Sequence, residues 1–305
     1  MPSEQAYLYY PGCSQTGTSI EYDMSTRASC KALGLQLVDL EDWSCCGSTP
    51  AHTVDHLLSA ALAARNLRIV QEMGRDAVVT PCPSCLTALR TANHRMRNPS
   101  FRAEVNDIID KPYEGEIEAK SVLQVIYEEV GPEKIRAAVT NPLKGLAAAP
   151  YYGCIMSRPP EVMAFDDPEN PIAMDKILEA LGAEVTPFPF KVECCGAAHA
   201  VPKKDVVTFL SGRILSMAEE FGANAIVVAC PLCHQNLDLR QDQINRSQKT
   251  RFKLPILYFT QLIALAMGVD EKELGLNKHH VSPQGLLKHI REAAAAVDET
   301  VTKVS

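Results

Sequence analysis

Gly74-Arg75-Asp76-Ala77-Val78-Val79-Thr80-Pro81-Cys82 aligns without a gap on Gly222-Ala223-Asn224-Ala225-Ile226-Val227-Val228-Ala229-Cys230. In each copy a glycine precedes a short β-branched run that ends at a cysteine, and the cysteine begins a Cys-Pro-x-Cys (Cys82–Cys85 and Cys230–Cys233). Runs of this length and composition read as buried strands, Ala77–Thr80 and Ala225–Ala229. A proline just past the cysteine suits the first turn of a helix, so helices are expected over Leu86–Met96 and Gln235–Ile244. Strand, loop and helix in that order twice over predict an α/β fold in each half.

Working outward, the repeat widens. Tyr9-Tyr10-Pro11-Gly12-Cys13 matches Tyr151-Tyr152-Gly153-Cys154, and Cys45-Cys46-Gly47 matches Cys194-Cys195-Gly196. Ten of the eleven cysteines therefore form two sets of five: Cys13, Cys45, Cys46, Cys82 and Cys85, then Cys154, Cys194, Cys195, Cys230 and Cys233. Repetition on this scale points to duplicated domains, with boundaries at 1–145 and 146–305. Residues 98–144 read as a mostly polar bridge with a helix near Ser121–Val130. The far end carries a helical tail over Leu286–Ala296. Ser48-Thr49-Pro50 is expected to cap a helix running to about Met73, and Asn170-Pro171 one ending at Gly182.

Composition bounds the function. The 305 residues are 46% hydrophobic and 22% charged, with a net charge of −7 and no long basic block, which gives no electrostatic footprint for nucleic acid. No apolar run reaches the length of a membrane span, and the first residues lack a secretory pattern. The expected compartment is the cytoplasm, where clustered cysteines serve metals more often than disulfides.

Zinc takes four ligands, usually from two Cys-x-x-Cys pairs, and an ordinary cubane cluster takes four thiolates. Five per half is one too many for either. A thioredoxin-like pair would leave three further cysteines in each half without a role. The glycine after each cysteine pair marks close backbone approach or positive φ.

The double pattern resembles the cysteine-rich CCG domain proteins, and within them the B subunit of heterodisulfide reductases. The likeness runs from Tyr9 through Gln261–Gly268, with both motifs complete. It implies that each five-cysteine set binds a non-cubane 4Fe–4S cluster, and that both clusters face one cavity between pseudo-symmetric halves. A substrate disulfide would be opened or formed there in two one-electron steps. The implied partners are a small ferredoxin-like subunit, a flavoprotein subunit, and a thiol, disulfide or lipoate carrier substrate. The chain itself has neither a ferredoxin cysteine run nor a dinucleotide fingerprint. Cys45-Cys46-Gly47-Ser48 is more similar to the bacterial sulfur-oxidising type than to methanogen proteins with proline after the pair. Related domains also occur in electron-relay subunits of glycolate, glycerol-3-phosphate and succinate dehydrogenases, which is the alternative reading.

Other residues carry weaker expectations. His52, His199 and His234 lie beside the motifs and are candidate proton donors, although a surface or capping histidine is the ordinary reading of each. Arg158, Lys191, Lys203, Lys204 and Arg213 could hold an anionic thiol substrate, against the default of solvated charge. Cys30, outside both sets on a helix over Ser19–Leu33, reads as a small buried hydrophobe.

Overall fold

The computed structural model describes residues 6–48 and 50–302. The chain forms two four-stranded parallel sheets. The first contains β1 (Ala6–Tyr9), β2 (Gln36–Asp39), β3 (Ala77–Thr80) and β4 (Glu118–Ser121) in the order β2-β1-β3-β4. The second contains β5 (Ala147–Tyr151), β6 (Glu184–Val185), β7 (Ala225–Val228) and β8 (Ile256–Tyr258) in the order β6-β5-β7-β8. Leu8 pairs with Val78 in one and Pro150 with Val227 in the other. The expected pair of duplicated α/β halves is what the chain forms.

This strand order decides where chemistry can sit. From β1 the chain crosses to β2 on one side, then returns to β3 on the other. Parallel sheets of this kind open a crevice at the carboxyl ends of the strands where that direction reverses. Cys13 follows β1 and Cys82 follows β3, while Cys154 and Cys230 follow β5 and β7. Both cysteine sets therefore stand at switch points.

The halves share their cores. The Ile20–Ala32 helix of the first half packs on the Phe259–Ala266 helix of the second, with Ser25 and Thr260 hydroxyls 2.8 Å apart. The short Pro160–Met163 helix of the second half packs on the Pro83–Met96 helix of the first, so Met163 is fully buried among first-half residues.

Five local expectations change, the first being the helix expected over Gln235–Ile244, which breaks into Pro231–Asp238 and Gln241–Gln248. The bridge supplies β4, whose alternate residues Ala119 and Ser121 are buried while Glu118 is exposed; one polar edge-facing row hid the strand. Its helix is shorter than expected, Val122–Val125 followed by a π-helical turn Ile126–Val130, and Ser121 caps it by accepting from Gln124 N–H at 2.9 Å. The helix expected to run unbroken to Met73 stops at Val54 and restarts at His56, because the Asp55 carboxylate accepts from Leu57 and Leu58 N–H; Thr49 lies outside the described residues. The Ala173–Ala180 helix is received by Asp166, which accepts from Ile172 and Ala173 N–H, and not by Asn170.

Candidate functional site

In the first set, Gly12 turns the chain out of β1 with φ +78°, and a Cβ there would stand 2.8 Å from Cys85 Sγ. Only glycine lets the strand end pass that sulfur. Gly47, at φ +75°, lies against Ser59 Cα and Leu62 Cδ1, and its N–H donates to Cys45 Sγ at 3.4 Å. Asn66 holds the loop before the cysteine pair, accepting from Ser44 N–H and donating to Ser44 carbonyl, which also accepts from Tyr10 hydroxyl. Cys82 stands at the N-cap of the Pro83–Met96 helix and Cys85 lies in its first turn. Free N–H groups and the positive helix end there favour thiolate. Cys46 and Cys85 sulfurs are 3.3 Å apart.

The second set repeats this construction. A Cβ on Gly153 (φ +75°) would stand 2.9 Å from Cys233 Sγ, and Gly196 (φ +82°) lies against Val207 Cα. Gly196 N–H donates to Cys194 Sγ at 3.3 Å, and Cys195 and Cys233 sulfurs are 3.6 Å apart. Cys230 begins the Pro231–Asp238 helix, from which Asn236 reaches back to Cys195 Sγ at 3.5 Å.

Contact among the sulfurs divides their acidities. The Cys45 thiol lowers Cys46 to about 3 by hydrogen bonding, and is itself raised in turn. Cys82 is lowered by its bond with Cys85, whose own thiol is raised by Cys46 and Cys82. In the second set Cys154 lowers Cys194 to about 6, with nearby His199 contributing, and Cys195 is lowered by Cys233. Crowded thiols that cannot all keep their protons suit a cationic metal group.

Two observations fit that group better than a single ion. Among the described residues, the trio of donors within 4.8 Å of one another is His234, Asp238 and His279; each cysteine set instead offers five sulfurs, one more than a tetrahedral ion takes. In addition, the Gln15 amide, two residues past Cys13, is buried with neither atom hydrogen-bonded. A polar group so placed calls for a partner the protein does not supply. The ten cysteines fit iron–sulfur clusters, five to a set.

Gln261 Oε1 accepts from Tyr258 N–H, so its Nε2 is the donor, to Leu274 carbonyl at 3.0 Å and to His279 Nε2 at 2.8 Å. His234 Nε2 lies 3.0 Å from His279 Nδ1 and 3.1 Å from the Ile256 carbonyl. The protein's own groups thus already engage both histidines of the trio. Both imidazoles are held neutral by burial, His279 down to about 4.

The histidine candidates thus separate. His234 is 3% exposed, stacks on Tyr258 at 4.4 Å and is outside the lining of the cavity described next. A buried neutral imidazole there cannot serve as the proton donor proposed from its neighbour Cys233. His52 lines the cavity described next, and His199 is exposed on a 3-10 turn after Gly196. Of the basic candidates, Arg158 pairs with Glu169 and Lys191 with Asp175, while Arg213 lies over Phe190 and Phe209. Lys203 and Lys204 are exposed at a helix start. None of the five lines the cavity. Cys30 is 2% exposed, and burial pushes its thiol up to about 12, an inert hydrophobe as expected.

A cavity of about 590 Å³ opens between the halves. All five second-set cysteines line it, and the opposite wall comes from first-half helices through His52, His56, Thr87, Ala88 and Arg95. Thr87 hydroxyl joins the walls, donating to Pro83 carbonyl at 2.8 Å with Ile155 carbonyl at 3.4 Å. First-set cysteines are absent from the described lining; Cys13 and Cys45 of that set are exposed, as is Cys194 of the second. The expectation of one cavity faced by both sets is met on one side only. Sequence reasoning also missed Arg95 and His56, which no motif marks.

The cysteine-rich domain family called CCG matches residues 7–90 and 148–238, one match for each set. The chain belongs to this family. It is 34% identical over 91% of its length to the 8-methylmenaquinol:fumarate reductase membrane anchor subunit of Wolinella succinogenes, covering 97% of that protein. It is 35% identical over 88% of its length to a heterodisulfide reductase B-subunit-like protein of Archaeoglobus profundus, covering 93% of that relative. Against the B subunit of the ferredoxin:CoB-CoM heterodisulfide reductase of Methanosarcina mazei, identity is 30% over 94% of this chain and 97% of the other. The likeness to the heterodisulfide reductase B subunit drawn from the cysteines is thereby shown. A hypothetical protein from Helicobacter pylori shares the fold, with TM-score 0.74 and 14% identity over 92% of this chain, which spans 53% of that one. No helix among the described residues is long and apolar enough to cross a membrane.

Proposed function

We propose that the chain is the sulfur-handling subunit of a heterodisulfide reductase-like complex. Its halves, 1–145 and 146–305, each hold one non-cubane 4Fe–4S cluster on the five cysteines named above. The observation that carries this reading is the cavity walled on one side by a complete five-cysteine set. Such clusters, when bound, supply electrons singly and a Lewis-acidic iron within reach of sulfur.

The rest is the work of this chain's own residues. Small side chains on the Pro83–Met96 helix, Ala88 and Thr87 among them, leave room for the apolar body of a thiol or disulfide. Arg95 offers the cationic group for an anionic end of that substrate. Opening a disulfide consumes two electrons and two protons and yields two thiols. The electrons come from partner subunits of the ferredoxin and flavoprotein kinds, and His52 and His56 are the titratable groups in the cavity wall that can pass protons. In the reverse direction the same groups take protons up. Either a thiol-cofactor heterodisulfide or sulfur on a lipoate carrier fits this scheme, within the cytoplasm.

A second reading, a quinone-linked electron relay, is favoured by the likeness to the Wolinella fumarate reductase subunit. One experiment separates the two. Anaerobically purified protein is analysed for iron and acid-labile sulfide, then titrated with a thiol and with a menaquinol analogue under low-temperature EPR. About eight irons and a signal perturbed by thiol alone support the sulfur reading. A response to the quinol alone supports the relay, and zinc in place of iron defeats both.

A further inference from the structure

Gln15 is 1% exposed, and neither its Oε1 nor its Nε2 has a hydrogen-bond partner. It follows Cys13 by two residues. Its Oε1 and Cys85 Sγ are the two atoms nearest the point where a Cβ on Gly12 would lie, at 3.7 and 2.8 Å. The amide head therefore stands beside the first cysteine set. Asn66, equally buried against the loop before Cys45, shows the ordinary case, with its oxygen and nitrogen both bonded.

Native proteins pair such groups with protein, water or ligand.

We propose that the Gln15 amide N–H donates a hydrogen bond to the sulfur of the cluster in its own half, and so raises its reduction potential. The proposal rests on the reading that each set holds an iron–sulfur cluster. A donor aimed at cluster sulfur favours the more negatively charged, reduced form and raises the potential. Gln15 would act on the first cluster alone.

The test is an EPR-monitored redox titration of the full chain and its Gln15→Leu variant, with iron and sulfide measured on each sample. Leucine is close to glutamine in size and lacks its donor. Cys45→Ser and Cys194→Ser variants assign the two signals to their sets. The expected result is retained iron, a lowered potential for the first signal in Gln15→Leu, and an unchanged second signal. An unshifted first potential with full iron overturns the proposal and leaves a buried water as the partner of the amide. If Gln15→Leu loses iron, Gln15→Asn decides: its shorter amide gives a shifted first potential on the proposal and an unshifted one against it. A wild-type protein without iron or sulfide defeats the cluster reading itself, which sets that failure apart.

Discussion

On the proposed reading of one cluster per cysteine set, substituting alanine for Gly12 or Gly153 should remove one cluster at a time without unfolding the chain. Both glycines have positive φ, +78° and +75°. An L-residue in that region costs about 1–2 kcal/mol of backbone strain. Gly34, Gly74 and Gly222 share this conformation, at +77°, +69° and +77°, but a Cβ on any of them would meet nothing within 4 Å. Alanine at these three positions carries the strain alone. At Gly12 and Gly153 the new methyl would also press on Cys85 or Cys233 sulfur at 2.8 or 2.9 Å.

Ordinary contact begins at 3.4 Å, so the sulfur must retreat by about 0.6 or 0.5 Å. Metal–ligand distances tolerate roughly 0.2 Å. The displaced thiolate falls outside bonding range while its four companions stay in place. The assay is iron and acid-labile sulfide per chain, beside urea midpoints for all five variants. Gly34→Ala, Gly74→Ala and Gly222→Ala should lose about 1–2 kcal/mol and keep their iron. Gly12→Ala and Gly153→Ala should lose about that much and roughly half the iron, with a different EPR signal missing in each. Full iron in Gly12→Ala, or loss of iron in Gly34→Ala, would refute the reasoning.

Three further outcomes follow from buried groups. His279, 8% exposed and facing His234, Asp238 and Gln261, is lowered from 6.5 to about 4, so the unfolded chain takes up its proton first as pH falls. Stability should drop by about 3 kcal/mol between pH 6.5 and 4 on this account, a slope that His279→Gln lessens in urea titrations; parallel slopes would exclude it. Tyr22 hydroxyl reaches both Pro81 and Ala229 carbonyls at 3.1 Å, the residues just before Cys82 and Cys230. Tyr22→Phe keeps the ring stack on Tyr258 but should cost about 1–3 kcal/mol, and a cost below about 0.5 would mean water had taken the hydroxyl's place. Cys30→Ala should keep all iron and lose about 1 kcal/mol of packing, and any fall in iron would place Cys30 among the ligands.

The two cysteine sets were legible because duplication wrote them twice. The strands before Cys82 and Cys230 were legible for another reason, since a buried parallel strand must be apolar on both faces. β4 was not, because half its residues are charged and its pattern is only four residues long. His234 misled by adjacency. Successive residues on a helix point about 100° apart, so the neighbour of a ligand faces elsewhere, here onto Tyr258. Gln15 gave no signal at all. Glutamine is an ordinary surface residue, and only burial without a partner sets this one apart.

Duplication repeated the sulfur sets but not their surroundings, and that difference carries the functional argument furthest. After Gly47 the chain turns into the helix bearing His52, while after Gly196 it makes one 3-10 turn and leaves Ala197, Val201 and Pro202 at the cavity. The first half thus contributes titratable groups to the cavity, and the second contributes thiols. Cys13 and Cys45 are exposed on the other set, outside that lining, while of the lining set Cys194 alone is exposed. A set outside the cavity can receive electrons from a docked carrier, but it cannot keep water from a reacting sulfur. A set that walls a cavity can do that, because the lining desolvates what it holds. On the proposed reading the two sets are therefore unequal partners, and a Cys45→Ser variant should slow reduction by the carrier while thiol still perturbs the second signal. Loss of the thiol response in that variant would show instead that both sets meet the substrate.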